Sequence, residues 1–99
     1  KNLAGSAVQP FVVTLEPGSG SGKSLIVHTG HEFVYCLSGQ VRYTIQAETY
    51  PLEEGDSIVF ESHLPHCWEN TGDEPAQIIL VLIPADGRDT PAERHFPLE

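Results

Sequence analysis

Histidines and carboxylates concentrate in two stretches of this chain. The first runs Ile26-Val27-His28-Thr29-Gly30-His31-Glu32-Phe33-Val34-Tyr35-Cys36-Leu37-Ser38-Gly39. The second runs Gly55-Asp56-Ser57-Ile58-Val59-Phe60-Glu61-Ser62-His63-Leu64-Pro65-His66-Cys67-Trp68-Glu69-Asn70. Imidazoles and carboxylates are the donor types of first-row metal sites. They serve equally as members of a buried polar network in which a carboxylate compensates an imidazole. Both readings require the two stretches to meet. Arg42 is the only basic side chain between Ser24 and Ile83, which makes it the candidate to pair an anionic ligand. As a strand residue it reads first as solvated.

The elements that must position these groups have a period of two. Gln9 to Leu15 reads as a strand, followed by the Gly/Ser-rich loop of residues 17–22. Strands follow at Ser24 to His28, Glu32 to Leu37, Val41 to Ile45, Thr49 to Leu52, Ser57 to Phe60, His66 to Asn70 and Ala76 to Ile83. Pro51 confines the Thr49 strand to an edge or an end, because it has no N–H for a ladder. The turn at Gln46-Ala47 lacks the Asn-Gly or Asp-Gly of tight hairpins and is expected to be longer or bulged. About eight short strands and no helix predict an all-β, small antiparallel jelly-roll barrel, closed so that no edge is bare. Residues 1–8 read as an arm or linker, 9–83 as the barrel and 84–99 as an arm or tail.

Alternation sorts the faces. Val34 and Cys36 share the side of Glu32, while His31, Phe33, Tyr35 and Leu37 take the other. Trp68 and Asn70 share the side of His66, with Cys67 and Glu69 opposite. Cys36 and Cys67 therefore do not meet. Asn70 is expected to cap a turn.

Composition narrows the function classes. The chain has 99 residues and a formal charge of −9, from 5 Lys+Arg against 14 Asp+Glu. Phosphate binding needs clustered basic side chains, so this segment does not contact nucleic acid through charge. The longest apolar run, Ile78 to Ile83, is far short of the ~18 residues of a membrane helix. Two widely separated cysteines form neither a disulfide framework nor a zinc site, which points to a reducing, cytoplasmic setting. The carboxylates Glu48, Glu53, Glu54, Asp56, Glu61, Glu69, Asp73 and Glu74 read as a solvated face.

The two stretches together resemble the cupin superfamily, whose motifs are G-x5-H-x-H-x3-E-x6-G and G-x5-P-x-G-x2-H-x3-N. Gly20, Ile26, His28, Glu32 and Gly39 fall on the first, with Ile26 in place of its first histidine. Gly55, Glu61, His63, His66 and Asn70 fall on the second, with Glu61 and His63 in place of Pro and Gly. The resemblance implies a cupin barrel over residues 10–83. It implies a metal set of His28, Glu32 and His66, suited to Zn, Fe, Mn or Ni with open positions. Ile26, Cys36, Arg42, His63 and Trp68 are then the expected ligand-binding residues.

The phrases Glu32-Phe33-Val34-Tyr35-Cys36-Leu37-Ser38-Gly39, Leu52-Glu53-Glu54-Gly55-Asp56-Ser57 and Pro65-His66-Cys67-Trp68-Glu69-Asn70 look like the C-terminal cupin domains of bacterial helix-turn-helix regulators. That likeness implies a small-molecule-sensing effector domain whose DNA contacts lie in a preceding domain. A chain opening on Lys1 rather than Met fits such a segment. Homodimers are expected, with Phe11, Val13 and the strand around Val81 offering apolar surface. The alternative is a stand-alone metal-dependent cupin enzyme of dioxygenase or isomerase type. Against it stand Ile26 and the lack of a further catalytic group assured to face inward.

Overall fold

The computed structural model describes residue 3 and residues 8–22 and 29–85. They form seven strands: β1 (Gln9–Leu15), β2 (His31–Ser38), β3 (Gln40–Ile45), β4 (Glu48–Glu53), β5 (Ser57–Glu61), β6 (His66–Glu69) and β7 (Ala76–Ile83). The expected strand Ser24 to His28 lies outside the described residues, as do Ile26 and His28.

The strands make two antiparallel sheets, one ordered β1-β7-β2-β5 and the other β4-β3-β6. The chain passes between sheets at β2–β3, β4–β5, β5–β6 and β6–β7, so the two inner faces enclose one core. Gly39 makes the first of these crossings. Its φ is +77°, and a Cβ there would stand 2.8 Å from both the Ala76 Cα and the Pro75 carbonyl oxygen. Only glycine meets both demands.

Period-two patterning fills that core. Val34, Cys36, Val41, Tyr43, Ile45, Leu52, Phe60, Trp68, Ile78, Leu80 and Leu82 are buried, and every second residue between them turns outward. Burying a large aliphatic or aromatic side chain contributes roughly 1.5–3 kcal/mol. Asn70 secures the end of β6: its Nδ2 donates to the Leu15 and Glu74 carbonyls, and its Oδ1 accepts from Gly72 N–H. That is the expected capping role.

Two expectations are corrected. The Gln46-Ala47 turn is neither long nor bulged: Ile45 pairs directly with Glu48, and Gln46 and Ala47 take φ of 51° and 70°. The register of β3 and β4 leaves only two residues to reverse the chain, and positive φ at both makes the reversal a type I′ turn. Phe11 and Val13 do not offer outer surface; they pack against the core. β1 is apolar on both sides, so its sequence alone did not say which side faces in. The outer one carries Pro10 and Val12.

That outer side continues across the four-stranded sheet. Val12 pairs with Ile79, which pairs with Tyr35; Pro10 pairs with Val81, Val81 with Phe33, and Phe33 with Val59. These are two successive cross-strand rows on one face. Pro51 sits on β4, at the edge of the three-stranded sheet among the described residues, as its missing N–H requires.

Candidate functional site

Glu32 and His66 come from different sheets and meet in the core. Glu32 is the second residue of β2, on the inner face, opposite Phe60 of β5 and Leu82 of β7. His66 opens β6, opposite Ile45 of β3. Neither side chain has measurable exposure, and His66 Nε2 lies 3.3 Å from Glu32 Oε1.

The protonation of the ring follows from its other nitrogen. His66 Nδ1 is 2.7 Å from the Leu64 carbonyl oxygen. A carbonyl only accepts, so Nδ1 carries a proton and donates it. This leaves Nε2 as the atom facing the carboxylate. A neutral imidazole would present a lone pair there, against an anionic oxygen. The pair therefore calls for a positive charge on it or beside it, supplied by a proton or a cation. A histidine whose Nδ1–H is held by a backbone carbonyl is also the usual arrangement of a metal-ligating ring.

The surroundings are aromatic and closed to bulk solvent. The Phe60 ring meets the His66 ring edge-on, with centroids 4.8 Å apart, and lies 6.1 Å from the ring of Tyr43. Tyr43 is fully buried on β3. Burial first, then the charge of Glu32 and a hydrogen bond to it, hold its phenol well above the ordinary range. Its hydroxyl thus stays protonated and donates to the carboxylate. Tyr43 and Phe60 were not among the residues singled out above. Their inward parity was legible, but their nearness to Glu32 and His66 depends on strand register.

Backbone geometry fixes where Glu32 stands. Gly30 takes φ of +90°, and a Cβ there would overlap the Ile83 carbonyl. The Gly30 carbonyl accepts the Ser62 N–H at 2.9 Å, which ties the start of β2 to the loop before His66.

The remaining expected residues separate into groups. Trp68 is buried two residues beyond His66 on the same face, opposite Tyr43. Cys36 is also buried inward, but four residues from Glu32 on β2, or about 13 Å along the strand. Its thiol donates to the Ser38 and Gly39 carbonyls at 3.5 and 3.6 Å. Arg42 lies outside the barrel and is ion-paired with Glu69. The two line a cleft of about 340 Å³ with Thr44, Cys67 and residues of the Gly-rich loop. His63 is exposed, 3.8 Å from Glu61. His31 is exposed on the face opposite Glu32. Cys36 and Cys67 are both free thiols. The eight carboxylates read as a solvated face are all exposed.

Among the described residues, no group of three His, Cys, Asp or Glu side chains gathers around one point. The expected third ligand, His28, and the apolar Ile26 lie outside the described residues. No helix of the described residues is long and apolar enough to cross a membrane.

The cupin domain family (Cupin_2) matches residues 11–83. The chain belongs to the cupin family. As a cupin it is 32% identical over 71 residues to the HTH-type transcriptional regulator PuuR of Escherichia coli, covering 72% of this chain and 38% of PuuR. The curated relatives are longer, and this cupin spans well under two thirds of each. Its fold is that of the cupin domain of an XRE-family transcriptional regulator from Enterobacter cloacae, with TM-score 0.70 and 20% identity, covering 81% of this chain and 84% of that one. It also resembles a predicted oxalate decarboxylase from Thermotoga maritima, with TM-score 0.67 and 31% identity, covering 75% and 64% of the two chains.

Proposed function

We propose that this cupin is the small-molecule-sensing effector domain of a bacterial, cytoplasmic transcriptional regulator, with its ligand held inside the barrel at Glu32, His66 and Trp68. The observation that carries this reading is the 32% identity to PuuR, a helix-turn-helix regulator, over most of the barrel. The −9 charge agrees with it, since DNA contacts would belong to a different, basic domain. The mechanism is a population shift. A ligand that prefers one state of the barrel biases the attached DNA-binding domains by its difference in affinity for the two states. Glu32 and His66 supply a charged acceptor and a ring nitrogen inside an apolar wall, the usual composition of a small-molecule site.

A second reading, a metal-dependent cupin enzyme, is favoured by the Glu32–His66 geometry. A carboxylate oxygen and an imidazole nitrogen face each other at 3.3 Å, and both are donor types that a divalent first-row ion takes. Glu32 and His66 would hold such an ion, with His28 as the third ligand expected from the motif. When bound, the ion would act as a Lewis acid towards a substrate oxygen or lower the pKa of a water. In that reading the Leu64 carbonyl orients His66, Tyr43 donates to Glu32, and Phe60 and Trp68 exclude water.

The test is a thermal-shift screen of the protein against a metabolite library, followed by incubation of each stabilising compound and analysis for products. A sensor gives compounds that raise Tm in the parent and not in Trp68→Ala, and that are recovered unchanged. Conversion of a stabilising compound overturns the sensor reading in favour of the enzyme.

A further inference from the structure

Ser62 is fully buried, and its hydroxyl finds no hydrogen-bond partner among the described residues. It follows β5 directly, and its N–H donates to the Gly30 carbonyl, which extends the ladder that pairs His31 with Glu61. Parity then sets its side chain on the inner face with Phe60, one row nearer the barrel end than Glu32. Glu32 faces Phe60 across that ladder, so Ser62 is its diagonal neighbour, with Cβ atoms within about 8 Å. Gln9 repeats the observation. It shares one inner cross-strand row with Leu82, Glu32 and Phe60, and its side-chain oxygen is also buried without a partner among the described residues.

We infer that Ser62 is a ligand-contact residue of the barrel site, and that the ligand it selects is a neutral polyhydroxylated compound, a polyol or sugar. The inference rests on the sensor reading above and names the ligand class of that site. A buried hydroxyl left unpaired destabilises a fold, and a bound molecule with polar groups at this end of the barrel satisfies it.

Hydrogen-bonding capacity points to hydroxyls. Glu32 and the Gln9 side-chain oxygen only accept, while Ser62 both donates and accepts. A hydroxyl does both as well, so it can donate to the first two and exchange with the third. Gln9 and Glu32 stand two strands apart, about 9.6 Å, so several hydroxyls on one carbon frame are needed.

Charge excludes the other classes. Among the described residues no permanent cation faces the interior: Arg42 lies outside, and His31 and His63 are exposed. A carboxylate ligand would confront Glu32, which His66 already faces. A diamine would pair one ammonium with Glu32, the one buried carboxylate among the described residues, and leave the other uncompensated. It would also give the Ser62 proton no acceptor.

The experiment uses two matched series of linear probes, with four and with six carbons. Each has a polyol (erythritol, glucitol), the diol with terminal hydroxyls alone, the dicarboxylate and the diamine. Saturable binding is read by isothermal titration calorimetry in the parent, Ser62→Ala and Trp68→Ala. Expected is a polyol that binds the parent more tightly than its diol, dicarboxylate and diamine, and about tenfold more weakly to Ser62→Ala. Unliganded Ser62→Ala should melt no lower than the parent, because the hydroxyl it loses had no partner to stabilise. A lower melt makes Ser62 structural and overturns the inference, as does equal polyol binding by the variant. A parent that prefers the dicarboxylate or the diamine, or binds no polyol, overturns the ligand class. A compound from the metabolite screen whose binding Trp68→Ala abolishes and Ser62→Ala leaves unchanged overturns this inference alone and leaves the sensor site standing.

Discussion

His66 Nε2 stands 3.3 Å from Glu32 Oε1, with neither side chain exposed. Removing the imidazole leaves a buried carboxylate with less compensation, which typically costs about 3–5 kcal/mol. His66→Ala should therefore lower the urea midpoint severely. Replacing both partners by apolar residues of similar volume, Glu32→Leu with His66→Phe, should recover most of the loss, because the penalty comes from the lone charge. Metal content should follow the same residues: both Glu32→Gln and His66→Ala should lower the ion recovered with the protein. Metal unchanged by both would place any ion elsewhere.

The Gln46-Ala47 turn carries a removable strain. Ala47 holds φ of 70°, a left-handed conformation costing an L-residue about 1 kcal/mol. Ala47→Gly should raise stability by about 0.5–1 kcal/mol, since part of the gain is offset by the greater freedom of glycine in the unfolded chain. Ala47→Val should lower it, because a β-branched side chain fits this region worse. Paired urea melts read both signs, and a destabilised Ala47→Gly would contradict the turn geometry.

The two thiols should differ in reactivity. Burial, ahead of the nearby Asp56, Glu54 and Glu53 charges, raises the Cys36 pKa, while Cys67 lies half-buried on the other sheet. At pH 8 a thiol reagent should label one cysteine of the native protein quickly, and none in Cys67→Ser until denaturant is added. The raised pKa also has a thermodynamic sign. The folded chain keeps this proton where the unfolded chain has released it, so stability is full below about pH 8.5 and falls as pH rises beyond it. Cys36→Ala should flatten that alkaline slope.

Much of this fold was legible because its strands alternate cleanly. Val41, Tyr43 and Ile45 face in while Arg42 faces out, as the pattern says. Pro51 announced an edge through its missing donor. The faces of Glu32 and His66 were also legible, since each lies in phase with buried neighbours. Register was not. Whether Tyr43 or Phe60 lies beside Glu32 depends on how β3, β5 and β6 align, which local sequence does not encode. The same gap hid the tight turn, where strand pairing overrides the ordinary preference for glycine. β1 misled for another reason, since both of its sides are apolar and only one can face the core. Arg42 carried the right charge for an anionic ligand, yet its parity sends it to the solvent side, against Glu69.

The central claim is that ligand binding inside the barrel governs DNA binding elsewhere in the protein. The most direct measurement uses the full-length product of the gene that encodes this sequence. Its affinity for the DNA flanking that gene is measured by fluorescence anisotropy, with and without the compounds that raise Tm. Coupling of about 1–3 kcal/mol predicts a shift of about 5- to 150-fold in DNA affinity, abolished by Trp68→Ala. An affinity that no barrel-bound compound changes, or a protein that does not bind DNA at all, would contradict the account.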